Sequence, residues 1–383
     1  MRLRPSPTYT RQPRPFAGVY LEVACKLDAA HPGYLNGVLH ASALKRAIQF
    51  AAYQEIDFSQ PKQMAARLRA LAPSACTPTL DPIAQIARGL TALYPRDIAR
   101  AVYGSIPEGF LGLLTRLGDD PLLDPAAYRL AFNLFADPAN KARAKLLRQH
   151  AGPVTGTHLR VAATLSKVLL HQGAFSRIRN EHAAETLNIA LNLIRELHPS
   201  VSEEALHASL EGLSPKDRDL SEWVGMWLSK AERVPMVSPI ALDDPDLRLI
   251  SPTRLAEVGR RFRNCAASYA SFLALGTHSV LEWTRPGQSA VIVLRSLSDG
   301  HWLIEQVRSA DNETPDLDTL LAIRAKLQGY GMLRYASTSG GGNTVTRLAS
   351  FLKVYGLEGY GDLLDAALPD PFEDLIDPIV RAA

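Results

Sequence analysis

The sequence predicts a mainly α protein in which a helical N-terminal bundle is followed by a smaller α+β module built on an antiparallel meander. Three features point there. Apolar residues recur at helical spacing from about Leu39 to Lys230, the period lapses at Val234-Pro235-Met236-Val237-Ser238-Pro239, and beyond it short apolar runs alternate with turn signals. At 383 residues the chain is long enough for two domains.

Residues 1–37, rich in Pro, Gly and Arg with one short apolar run at 19–23, read as an extended basic arm. The helical domain follows over 38–233. Its helix starts are marked by Ser59-Gln60-Pro61, Asp81-Pro82, Asp124-Pro125 and Asp137-Pro138, where a capping side chain precedes a residue whose φ suits the first turn. Such signals give about ten helices. The clearest covers 177–197, with Ile178, Leu187, Ile189, Leu191, Ile194 and Leu197 as its apolar stripe.

The α+β module is placed at 246–356. A short strand at 247–250 leads into a helix from Ser251-Pro252-Thr253 to about Arg263, then a second helix over 265–275 that Gly276 ends. Strands are expected at 280–283, 290–294 and 302–308, separated by Pro286-Gly287 and Asp299-Gly300. A helix at 317–328, a strand at 333–336, a Gly-rich turn at 340–342 and a helix at 344–355 complete it. Residues 357–383 form an acidic tail.

Composition narrows the function classes. No run of eighteen uncharged apolar residues occurs, and the Arg/Pro-rich start has no apolar signal core, so a cytoplasmic protein without membrane contact is expected. Cys25, Cys76 and Cys265 are few, odd in number and far apart, which argues against a disulfide framework or a cysteine zinc site. His150, His158, His171, His198 and His207 lack the paired spacing of zinc ligands, so neither a metal nor a cofactor is expected. Gly340-Gly341-Gly342-Asn343-Thr344 has no Walker lysine and reads as a turn. The net charge is only +3, but Arg2, Arg4, Arg11 and Arg14 form an acid-free arm, and Lys141, Arg143, Lys145 and Arg148 crowd one short helix. Such clusters suit a phosphate-bearing partner, including nucleic acid.

The densest chemistry lies at Arg261-Phe262-Arg263-Asn264-Cys265-Ala266-Ala267-Ser268-Tyr269. A helix N-terminus and two arginines favour the thiolate of Cys265, whereas burial against Tyr269 and Phe272, on the same helix face, opposes it. Burial is expected to win. On the last meander strand, alternation puts Trp302, Ile304, Gln306 and Arg308 on one side and Leu303, Glu305 and Val307 on the other. Gln306 and Arg308 then offer an amide and a guanidinium fork to a phosphate or carboxylate. A thiol hydrolase or transferase would take Cys265 with His301, or with His278 as a second choice, and Glu305 or Asn312 as orienting group.

Asn264, Cys265, Ser268, Tyr269, Gly276, Gln306, Arg308 and Asn312 reproduce an Asn-Cys-x-x-Ser-Tyr core, a following Gly and a Gln-x-Arg…Asn segment. In this the stretch 250–320 resembles the PcfJ-like family of bacterial proteins. Ala266-Ala267 stand where that family has Val-Gly, and Ser309-Ala310-Asp311 replaces a more basic turn. The resemblance implies a setting on conjugative plasmids and mobile elements, not a chemistry. Three readings follow. Nucleic acid or another phosphate-bearing ligand is engaged by Lys141, Arg143, Lys145 and Arg148 together with a pocket of Asn264, Tyr269, Gln306, Arg308 and Asn312; Cys265 serves a hydrolase or transferase; or the helical domain is a scaffold for a protein partner.

Overall fold

The computed structural model describes residues 11–211, 220–231, 233–235, 238–297 and 300–332. The expected strand at 333–336, the helix at 344–355, Gly340–Gly342, the acidic tail, Arg2 and Arg4 lie outside them. The chain is mainly α with a small α+β module. It divides into two compact units, the first drawn from 1–190 and 202–220, the second from 191–201 and 221–383. No helix among the described residues is long and apolar enough to cross a membrane.

Among the described residues fourteen α-helices precede the sheet: α1 (Val19–Ala30), α2 (Tyr34–Leu39), α3 (Ala43–Gln54), α4 (Lys62–Leu71), α5 (Pro82–Ala92), α6 (Pro95–Tyr103), α7 (Phe110–Arg116), α8 (Ala126–Ala136), α9 (Lys141–Gln149), α10 (Gly156–Thr164), α11 (Gln172–Phe175), α12 (Glu181–Leu197), α13 (Glu203–Glu211) and α14 (Leu220–Ser229). Capping chemistry sets several starts. Asp81 accepts from the N–H groups of Ile83 and Ala84 with Pro82 in the first turn, and Asp124 accepts from Ala126 N ahead of α8. At Asp137-Pro138 the cap opens a 3-10 turn that runs into α9. α12 begins later than the apolar stripe suggested, where Asn180 Oδ1 accepts from Ala183 N, and Ile189 is exposed.

The extended arm over 1–37 needs correction. Residues 19–30 and 34–39 are helical, and Tyr20, Ala24 and Leu27, at i, i+4 and i+7, are buried. The glycines and prolines around them masked a stripe of about two turns. Arg14 is also engaged: its guanidinium contacts Asp119 and the carbonyl of Ala41, and its backbone N–H donates to Leu39 O.

In the second unit β1 (Leu247–Leu249), β2 (His278–Arg285), β3 (Gln288–Ser296) and β4 (Trp302–Arg308) form an antiparallel sheet in sequence order. Pro286-Gly287 makes the β2–β3 hairpin, with Gly287 at φ 75°. α15 (Pro252–Phe262) and α16 (Ala270–Ala274) pack on one face through Val258, Phe262 and Leu273 against Val280, Val291 and Val293. α17 (Leu317–Gly329) covers the other through Leu320, Ile323 and Leu327 against Trp283, Ile292, Leu294 and Val307. Coverage of both faces explains why β2 is buried at six consecutive positions and why β3 carries the unbroken apolar run from Ala290 to Leu294.

An ionic clamp ties the segment before β1 to this core. Asp246 takes Arg285 in two prongs, Nε at 2.9 Å and Nη2 at 2.7 Å, while Lys326 Nζ lies 2.9 Å from Asp244 and 3.1 Å from Asp246. Burial alone would raise the Asp244 carboxyl, but Tyr330, Lys326 and the N–H groups of Asp246 and Leu247 outweigh it and hold it at about 2, below its ordinary 3.8. A carboxyl depressed on folding stabilises fully above its ordinary value, and the contribution disappears as pH falls through the folded one. Acidification from pH 4 to pH 2 is therefore expected to expose β1 to amide hydrogen exchange, with Asp244→Asn already exposed at pH 4. Equal protection of β1 across that range would contradict the clamp.

Candidate functional site

α15 delivers the Asn264–Tyr269 segment to the sheet. Gly259 allows it: a Cβ there would stand 3.2 Å from Asn264 O, and Asn264 N donates to Gly259 O at 3.0 Å. Arg263 turns the chain at φ 51°, and across the cleft Asp311 and Asn312 both have φ 60°. Among the described residues these are the non-glycine positions in the left-handed region; Asn312 lines the cleft, and Arg263 and Asp311 each adjoin a lining residue in sequence. Backbone strain of this kind concentrates at functional sites.

The segment is a 3-10 turn (Ala266–Tyr269) followed by α16, not one continuous helix over 265–275. Asn264 Oδ1 caps Ala266 N at 3.1 Å, and Ser268 donates its N–H and hydroxyl to Cys265 O at 2.9 and 2.7 Å. Cys265 is exposed, which reverses the expected burial. The face shared by residues 265, 269 and 272 needs a full α-helix, and the tighter turn rotates Cys265 to the surface. The flanking arginines are matched: Arg261 lies 2.5 Å from Glu282, and Arg263 pairs with Asp311.

On β4 the strict alternation also fails. Val293 faces Gln306 but Leu294 faces Ile304, so Glu305 is an extra residue in a β-bulge. Trp302 and Ile304 pack on the α17 side with Val307, whereas Glu305, Gln306 and Arg308 all look toward α15 and α16. There Glu305 Oε2 lies 2.9 Å from Nε2 of His278, which is 3 % exposed, and both carboxylate oxygens receive Arg295, at 3.1 and 3.2 Å. Burial would raise the Glu305 carboxyl, but His278 and Arg295 pull it below its ordinary value. The phenol of Tyr269 is pushed up to about 12 by burial and then by the charges of Glu305 and Cys265, with Arg295 and Arg308 opposing.

Asn264, Cys265, Tyr269, Gln306, Arg308 and Asn312 thus converge on one cleft floored by Val291 and Val293. Its cavity of about 10 Å³ admits roughly one water-sized group. Tyr269 Oη reaches Gln306 Oε1 at 3.4 Å. Arg308 is only 8 % exposed, yet it makes one long contact, Nη1 to Thr314 Oγ1 at 3.4 Å, and its Nε is buried without a partner. No carboxylate among the described residues pairs with it.

The other expected residues lie elsewhere. His301 precedes β4 beside the Ser296–Trp302 pairing, whereas the cleft is at the Val291–Arg308 end, about 20 Å along the strand. It therefore forms no catalytic pair with Cys265. The histidine near Tyr269 is His278, their rings 5.9 Å apart. On α9, Arg143 donates to the carbonyls of Ala162 and Leu165, and Arg148 lies 3.0 Å from Glu108. Lys141 and Lys145 remain exposed. Sequence reasoning missed the bulge, which has no local signature, and a groove of about 760 Å³ in the first unit lined by Met64, Arg67, Arg100, Tyr103 and Arg129. That groove is far larger, but Arg129 pairs with Glu55 and Arg100 with Asp97, so its charges are mostly matched internally. Among the described residues no group of three His, Cys, Asp or Glu side chains is placed to hold a metal ion.

No family model, curated protein or solved structure matches the chain.

Proposed function

We propose that this is a mobile-element-associated protein, similar to the PcfJ-like family, whose C-terminal module seats a phosphate of nucleic acid or of another phosphate-bearing partner on Arg308. The observation that carries the reading is the unmatched guanidinium. A cation buried to this degree is costly unless an anion or a full set of acceptors compensates it, and Arg308 has neither. The amides of Asn264, Gln306 and Asn312 and the hydroxyl of Tyr269 surround it with neutral hydrogen-bonding groups that a phosphate oxygen can use. A cavity of about 10 Å³ takes one such oxygen, so the phosphate docks at the mouth and presents a single edge. Lys141 and Lys145 supply outward charge on the helical unit for sequence-independent attraction.

Titration of the full chain with inorganic phosphate and with a short single-stranded oligonucleotide tests this by calorimetry. Both are expected to bind competitively, and Arg308→Met is expected to weaken each by about 10- to 100-fold, the worth of a charge-assisted contact. If the oligonucleotide alone binds, with a salt dependence flattened by reversing Lys141 and Lys145, the source is nucleic acid. Undiminished binding by Arg308→Met would refute the assignment.

A further inference from the structure

Cys265 and Arg308 line the same cleft together with Tyr269, the thiol exposed and the guanidinium buried. The thiol belongs to a backbone fixed by Asn264 and Ser268 and sits at the mouth, where the reactive end of a ligand would lie once its anionic group had reached the guanidinium. We infer that Cys265 is a nucleophile for small electrophiles whose carboxylate or phosphate group is seated on Arg308. This inference rests on Arg308 as an anion site and adds a reaction to it. In the step, the sulfur forms a bond to the electrophilic carbon, the leaving group departs with the electron pair of the broken bond, and the thiol proton passes to water. An acyl donor would leave a thioester at Cys265, and an alkyl donor a thioether.

Iodoacetate and iodoacetamide separate charge from reactivity, since both alkylate thiols with loss of iodide but only the first carries a carboxylate. The full chain is treated with each at neutral pH, and the rate at every cysteine is read by mass spectrometry. Exposed Cys25 in the same molecule, and Cys265 in the unfolded chain, are the references. The iodoacetate-to-iodoacetamide rate ratio at folded Cys265 is expected to exceed both references by at least about tenfold, on the scale of one charge-assisted contact. It should fall to the reference value in Arg308→Met and survive in Arg308→Lys, which keeps the charge. A wild-type ratio equal to the references overturns the inference whether or not the variants fold. If that happens while inorganic phosphate still binds through Arg308, the anion site stands and the nucleophile does not; a raised ratio without phosphate binding retains the nucleophile and limits the anchor to carboxylates.

Discussion

Glu305→Ala is expected to destabilise the C-terminal module by about 3 kcal/mol, the lower end of the range for removing one partner of a buried ion pair. The side chain is 24 % exposed and meets both His278 and Arg295, so its loss takes the carboxylate from a histidine with almost no access to water. Denaturation followed by tryptophan fluorescence measures the loss, and a cost below about 0.5 kcal/mol, the level of an ordinary surface change, would show that the cluster is only a surface pair. The bulge sharpens the test. Because Glu305 and Gln306 face the same way, deleting Glu305 should restore regular alternation and leave Ile304, Val307 and Arg308 on their present faces. The deletion should therefore fold with the same sheet and lose stability about as Glu305→Ala does. The bulge is then a device for adding one carboxylate to the α15 side of the sheet.

The sign with pH follows from the same cluster. Glu305 is depressed in the folded state, so its contribution is complete above its ordinary 4.5 and declines as acid protonates the folded carboxyl. Glu305→Ala should accordingly lose its deficit relative to wild type on acidification below that point. In the variant, Tyr269 should titrate lower than about 12, because one of the charges opposing its ionisation has gone, but still above 10, because burial is the larger cause.

Much of this fold was readable because its signals are local. Asp81-Pro82 caps α5 as expected, Pro286-Gly287 turns the hairpin, and all three meander strands fall where the apolar runs put them. The convergence of Asn264, Cys265, Tyr269, Gln306 and Arg308 was also legible, since it needed only a helix-to-sheet packing that the apolar faces dictate. What failed depended on contacts between distant segments. A one-residue bulge changes which face Glu305 joins, and nothing near Glu305 in sequence announces it. The exposure of Cys265 depends on a 3-10 turn seated on Gly259, a close approach that period counting does not detect. Arg261, Arg263, Arg143 and Arg148 looked free because their partners, Glu282, Asp311, the carbonyls ending α10 and Glu108, are remote in sequence.

Arg46 carries the same lesson into the helical unit, where Arg46→Met is expected to cost about 3–5 kcal/mol, the cost of disrupting a buried charged network. The residue is fully buried on α3, between the rings of Phe16 and Phe50, each centred 5.3 Å from its guanidinium carbon. Its Nε donates to Asp119 O at 2.7 Å, and its Nη1 donates to Arg14 O at 2.7 Å and Val38 O at 3.2 Å. Methionine fills much of the volume but strands the Arg14 and Asp119 carbonyls, each worth about 1 kcal/mol or more when left without a donor, while Val38 O keeps the N–H of Ala41. Lysine offers a point charge in place of a planar fork, so Arg46→Lys should fall between the two. Because the acceptors come from three separate segments, the substitution should also release the residues before α1, and trypsin should cut after Arg11 faster than in wild type. Unchanged cleavage together with a stability loss below 1 kcal/mol would show that the N-terminal segment is held by its apolar contacts alone. If cleavage accelerates, the arm that looked like a free basic tether in the sequence is a fixed part of the helical unit, with Arg14 turned inward to Asp119 and not outward to phosphate.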